Sequence, residues 1–114
     1  MSYTPPTTPR VAPTALDVGY TTLTSAVATP CPALNGGPAQ WLVGVVNNSL
    51  SAQTVTALVY DNPTTATGNI VASIGPLGVS QVITFPAPGI RLANDATAIA
   101  SGAPIAPGIQ VLTR

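Results

Sequence analysis

The sequence predicts an all-β protein: a single antiparallel β-sandwich of jelly-roll type, carried behind an extended, proline-rich N-terminal arm. Three observations point there. About seven or eight short apolar runs recur along the 114-residue chain, with turn signals roughly every 8–12 residues, the spacing of an all-β sandwich or barrel. Thr, Val, Gly and Pro dominate, and these residues favour strands and turns. Good helix formers other than Ala and Leu are nearly absent, with neither Lys nor Glu present.

Pro5, Pro6, Pro9 and Pro13 crowd the start. Each proline removes a backbone donor, so residues 1–14 read as an extended arm and not as a sheet strand. The domain is expected over residues 15–114. Leu16, Val18 and Tyr20 keep a two-residue period, which fits an early strand. "PCPALNGGPA" is a loop with Asn-Gly-Gly-Pro as its turn signal. "QWLVGVVN" is an apolar run of strand length, and "TVTALVYD" alternates about Val55, Ala57 and Val59. "IVASI", "QVITF", "IRLA", "TAIAS" and "IQVLT" complete the series, separated by Pro- and Gly-bearing breaks. Residues 93–100 form a weak helical candidate without an apolar face. The inward set is expected to include Trp41, Val43, Val45, Val55, Ala57, Val59, Ile74, Ile83, Phe85, Ile99 and Val111.

Charged residues make up 5% of the chain, against roughly 25% in an average soluble domain. Net charge is zero, and there is no His. General acid–base catalysis would rest on Asp, Tyr or Cys alone, so no enzyme activity and no catalytic residue is expected. Arg10, Arg91 and Arg114 are scattered and form no patch of the kind that binds phosphate backbones, so no nucleic-acid partner is expected. One Cys and no His cannot build a zinc site, and neither a metal nor another cofactor is expected. Cys31, in "TPCP", reads as a small buried apolar residue without a nearby positive charge to activate it. A free reactive thiol or an intermolecular bridge is the alternative. The first ten residues lack the apolar core of a signal peptide, and no run approaches the roughly 20 apolar residues of a membrane helix. No membrane association is expected.

Asp61 is the acid whose setting asks for an explanation. It follows Tyr60 and precedes Asn62, Pro63, a Thr-rich stretch and Gly68. Asp and Asn side chains accept hydrogen bonds from nearby backbone N–H groups, Pro63 fixes φ, and Gly68 permits positive φ on re-entry into the next strand. Asp61, Asn62, Pro63 and Gly68 therefore read as turn residues. A calcium site is the sharper alternative, because Asp, Asn and Thr oxygens are hard ligands; a single carboxylate weighs against it.

"TALVYDNPTTATGNIVASI" resembles a motif of small tailed-bacteriophage structural proteins, which carry an "LYDN" or "VYDN" strand end, a Thr/Ala-rich turn with Gly, and a following strand. "ITFPAPGIRLANDATAIASGAPIAPGIQVLT" is similar to the same family's "F…GIRFANGLTVVTSGAP…VTV" pattern. The resemblance spans residues 41–113 and matches Tyr60, Asp61, Asn62, Gly68, Gly89, Ile90, Arg91, Ala93, Asn94, Ser101 and Gly102. Asp95 departs from it, standing where the pattern has Gly. The resemblance implies a non-enzymatic virion protein on the capsid surface. Its type would be a decoration (cement) protein that stabilises the shell of the major capsid protein, commonly as a homotrimer. The resemblance does not extend to the arm; from its own composition the arm is expected to lie extended on a neighbouring chain and contact it through Tyr3, Pro5, Pro6, Pro9 and Arg10. A head-fibre, tail-fibre or host-recognition module is the alternative within the virion. A cellular carbohydrate-binding or adhesion module is a further one.

Overall fold

The computed structural model describes residues 18–114. The arm expected over residues 1–14, with Tyr3, Pro5, Pro6, Pro9 and Arg10, lies outside them. The described residues are all-β, and they form two antiparallel sheets packed face to face. The strands are β1 (Gly19–Leu23), β2 (Thr29–Pro30), β3 (Trp41–Asn47), β4 (Ala57–Tyr60), β5 (Ile70–Ile74), β6 (Val82–Thr84), β7 (Ile90–Arg91), β8 (Thr97–Ala100) and β9 (Ile109–Thr113). One sheet runs β1-β9-β3-β6, with β7 also pairing β3, and the other runs β2-β8-β4-β5. Every connection except β4–β5 and β6–β7 carries the chain from one sheet to the other.

The core lies between the sheets. Leu23, Leu42, Val45, Ile109 and Val111 from the first meet Ala57, Val59, Ile74, Ala98 and Ala100 from the second, all buried in one cluster. Strict alternation accounts for β4 and β9, where buried and half-buried residues take turns. As expected, Val45, Ala57, Val59, Ile74 and Val111 point inward, and Val55, Ile83 and Phe85 pack against the cluster half-buried.

Three of the expected inward residues do not belong to that cluster, and each has a physical reason. In β3 the register against β9 slips between Leu42 and Gly44, so Val43 is an extra, bulged residue. A bulge reverses the facing of everything on one side of it. Leu42 and Val45 are both fully buried, while Trp41 and Val43 are half-buried. In β8 the inward positions are taken by Ala98 and Ala100, which leaves Ile99 on the outer face opposite Leu58. The weak helical candidate at 93–100 is thus a turn followed by this strand.

The first strand also faces opposite to its apparent period. Leu23 is its buried anchor, and counting back in twos puts Thr21 and Gly19 inside and leaves Tyr20 68% exposed. Gly19 is needed there: a Cβ would stand 2.7 Å from the backbone nitrogen of Leu34. Two strands, β2 and β7, are only two residues long. β6 and β7 both pair β3 and act as one strand interrupted by Pro86, Ala87, Pro88 and Gly89.

Candidate functional site

The sandwich has two ends of different chemistry. At one end lie the connections β2–β3, β4–β5 and β7–β8 and the residue after β9. This end holds Asp61, Arg91, Asp95 and Arg114, the charged residues among those described.

Asp61 sits at the end of β4, which Leu58 and Val59 anchor in its sheet. Its carboxylate reaches across to the β7–β8 connection. Oδ2 accepts the N–H of Ala93 at 3.0 Å, and Oδ1 accepts those of Asn94 at 2.8 Å and Asp95 at 3.4 Å. Burial raises the carboxyl's pKa, but the three backbone N–H groups lower it more, and the net direction is down. Both oxygens are spent on amides, as in a turn-closing residue and unlike a cation ligand, whose oxygens converge on the ion. Among the described residues, no three or more His, Cys, Asp or Glu side chains gather into a group that could hold a metal.

The neighbouring turn residues close the β4–β5 connection on itself. Asn62 Oδ1 accepts the N–H groups of Thr64 and Thr65, both at 3.0 Å. Its carbonyl accepts the hydroxyl of Thr97 at 2.7 Å, which draws the connection over the outer face of β8. Pro63 is exposed, and Gly68 has φ of +88° in open space, the role the sequence assigned to it. Asp95 has φ of +147° although it is not glycine. Its Oδ1 accepts the N–H of Ala39 at 2.8 Å and of Ala96 at 2.7 Å, and these two bonds hold the strained backbone in place. Asp61 and Asp95 therefore lock the three connections of this end together as two backbone-capping carboxylates.

With both acids engaged, the cations of this end are placed by other groups. The guanidinium of Arg91 lies 5.1 Å from the centroid of the Trp41 ring, a cation–π contact. Arg114 donates to the carbonyl of Pro88 at 3.3 Å, and its backbone exchanges hydrogen bonds with Trp41. A concavity of about 580 Å³ opens beside it, bounded by Leu34, Asn35, Pro38, Gln40 and Arg114 among others.

Cys31 lies under this end, fully buried, with its thiol donating to the carbonyl of Thr29 at 3.4 Å. Burial pushes the thiol up to about 11, and nearby Asp95 adds to that; hydrogen bonds from Thr21 and Ala98 oppose it only in part. A thiol is a nucleophile only as thiolate. The native protein at pH 8 is expected to resist alkylation by iodoacetamide and to label fully once unfolded in urea. Stoichiometric labelling of the folded chain would overturn this.

Among the described residues, the opposite end carries no charge. It consists of the β1–β2, β3–β4, β5–β6 and β8–β9 connections. Its organising residue is Asn47, the last residue of β3, which is 1% exposed. Nδ2 of Asn47 donates to the carbonyls of Ser51 at 2.9 Å and Gly78 at 2.7 Å, and Oδ1 accepts the N–H of Ser49 at 3.0 Å. Gln53, also buried, donates from Nε2 to Asn47 Oδ1 and to the carbonyl of Ile105, and accepts the N–H of Ile105 at Oε1. Two amide side chains thus pin three connections to one another. No buried side-chain polar atom among the described residues is left without a partner. Sequence reasoning missed this pair, because "NNSLSAQ" reads as an ordinary polar turn.

No protein-family model, curated protein or solved structure matches the chain.

Proposed function

We propose that this chain is a structural protein of a tailed-phage virion. It decorates the capsid surface as a cement protein, self-associates as a homotrimer and binds the shell of the major capsid protein. The observation that carries this reading is the distribution of charge on a rigid sandwich. The charged side chains described stand at one end, while Val27, Leu50, Val79 and Val82 are all more than half exposed toward the other. A free protomer with so much uncharged, apolar surface tends to associate or precipitate, and burial in a symmetric assembly removes that tendency.

The motif resemblance supports the same reading. Its matched residues Asp61, Ala93 and Asn94 are the ones that meet in the carboxylate clasp. We read the strand order as a jelly roll, the two interleaved four-stranded sheets of that winding being β1-β9-β3-β6 and β2-β8-β4-β5. Arg91 lies over Trp41, which takes one face of that ring away from a stacking sugar.

The test is reconstitution. Purified shells stripped of the protein are mixed with the full chain, pelleted and counted by gel. Hundreds of copies per particle support decoration. A handful of copies points to a fibre or tail component, and none overturns the reading. Deleting residues 1–14 is expected to leave the far-UV β spectrum intact and to weaken attachment, because the deletion removes Tyr3 as an apolar anchor and Arg10 as a partner for an acidic group.

A further inference from the structure

We propose that the concavity beside Arg114 is a binding site for a carboxylate, borne by a small organic acid or by an Asp or Glu side chain of another protein. The site needs no shell to be occupied, so it goes beyond the decoration reading and stands or falls apart from it. The hollow holds about 580 Å³ and is bounded by Leu34, Asn35, Pro38, Gln40 and Arg114 among others, a volume in the ordinary range of ligand sites.

Its walls are fixed before anything binds. The N–H of Ala33 donates to the carbonyl of Gly37, and that of Gly36 to the carbonyl of Ala33, both at 2.9 Å. The Thr113 hydroxyl donates to the carbonyl of Pro32 at 2.8 Å, and the N–H of Gln40 to the carbonyl of Arg114 at 2.8 Å. These bonds tie the β2–β3 connection to the end of β9 from both sides, and Asp95 holds the N–H of Ala39 between them. A wall held in this way loses little freedom when a ligand enters.

The lining is rich in donors. Arg114 spends one terminal nitrogen on the carbonyl of Pro88 at 3.3 Å, which steadies the guanidinium and leaves the rest of its N–H fork for a ligand. Asn35 Oδ1 accepts the N–H of Gly37 at 2.9 Å, so the polar group it has left is the donating NH₂. Gln40 adds an exposed carboxamide. Neither described acid serves the guanidinium: Asp61 and Asp95 are engaged with backbone N–H groups, and neither lines the hollow.

Charge and shape choose the ligand. Arg91, the other described cation, lies over Trp41 and does not line the hollow. One guanidinium therefore meets one negative charge. A carboxylate carries one and matches the planar fork with its two oxygens. A phosphate near neutrality carries more than one, and the excess would go uncompensated. Leu34, 61% exposed, and Pro38 supply an apolar edge for the carbons beside the carboxylate.

The experiment is a titration of the isotope-labelled full chain with butyrate, a carboxylate on a short aliphatic chain, followed by amide NMR spectra. Saturable shifts are expected over residues 33–40 and at Arg114. The side chain of Arg114 bonds only an exposed carbonyl, so Arg114→Gln should keep the folded spectrum and bind about tenfold more weakly. Butylamine should shift none of these amides, and inorganic phosphate should bind more weakly than butyrate. No saturable shift with butyrate overturns the proposal, as does unchanged affinity in Arg114→Gln or tighter binding of phosphate. Asp17→Asn is expected to titrate as wild type; a response seen only in that variant would give the site to the chain's own acid and overturn an external ligand. Pelleting Arg114→Gln with shells separates the two sources of the carboxylate. A reduced copy number assigns it to an acidic side chain of the shell, and an undiminished one to a free acid.

Discussion

Asn47→Ala is expected to destabilise the domain by about 3–5 kcal/mol, against a total of roughly 5–15 kcal/mol for a domain of this kind. The side chain is buried and makes four hydrogen bonds. Its loss strands the carbonyl of Ser51 and the N–H of Ser49, leaves the carbonyl of Gly78 with only the N–H of Gln81, and leaves the Gln53 side chain bonded only to Ile105. Each stranded buried group costs about 1–3 kcal/mol. Water entering the vacated space recovers part of that, which keeps the sum below simple addition. Asn47→Asp should not rescue it. A carboxylate accepts where the amide donates to two carbonyls, and it adds a buried charge. Urea denaturation checks this: the midpoint should fall sharply with little change in slope. A midpoint within experimental error of wild type would show that the end is held by something other than this amide.

Asp61→Ala is expected to cost about 1–2 kcal/mol, the range of a lost capping interaction in a partly solvated setting. Asp61→Asn should fall between the two, at roughly 1 kcal/mol: the amide oxygen still accepts the N–H groups of Asn94 and Asp95, but an NH₂ then faces the N–H of Ala93. The pH dependence has a definite sign. The folded state holds the Asp61 carboxyl below its ordinary value, so the folded chain binds fewer protons than the unfolded one as pH drops through the carboxylate range. The contribution of Asp61 is fully present above that range and is lost as pH falls through it. Wild type and Asp61→Ala should therefore differ most near neutrality and converge in acid. A difference that stayed constant down to strongly acidic pH would show that the carboxylate's charge is not what holds the β7–β8 connection.

The parts of the fold legible in the sequence were those set by local pattern. Ile70–Ile74 and Ile109–Thr113 stand where "IVASI" and "IQVLT" placed strands, because an apolar run between Gly or Pro breaks leaves little choice. Asp61, Asn62 and Gly68 were legible as turn residues because their hydrogen-bonding habits are local. The distant half of the clasp was not. That Asp61 reaches residues 93–95 depends on β4 and β8 being neighbours, which no short-range signal encodes. The facing of β3 was hidden for a different reason. "WLVGVV" is apolar at nearly every position, so nothing marks Val43 as the bulged residue until β9 is laid beside it. The alanines of β8 misled through size: Ile99 looks like the core residue, yet Ala98 and Ala100, paired with Val59 and Ala57, are the fully buried residues that face the core.

The position of β9 bears on how the domain comes to exist in a cell. β9 lies between β1 and β3 and pairs with both, and it is made after every other strand of the sandwich. Until then the nascent first sheet has a gap at its centre, with two strand edges facing an empty lane. Pairings between remote parts of a chain form slowly, and unpaired edges invite neighbours on the polysome to fill them. Closure of the first sheet therefore waits on β9 entering that lane.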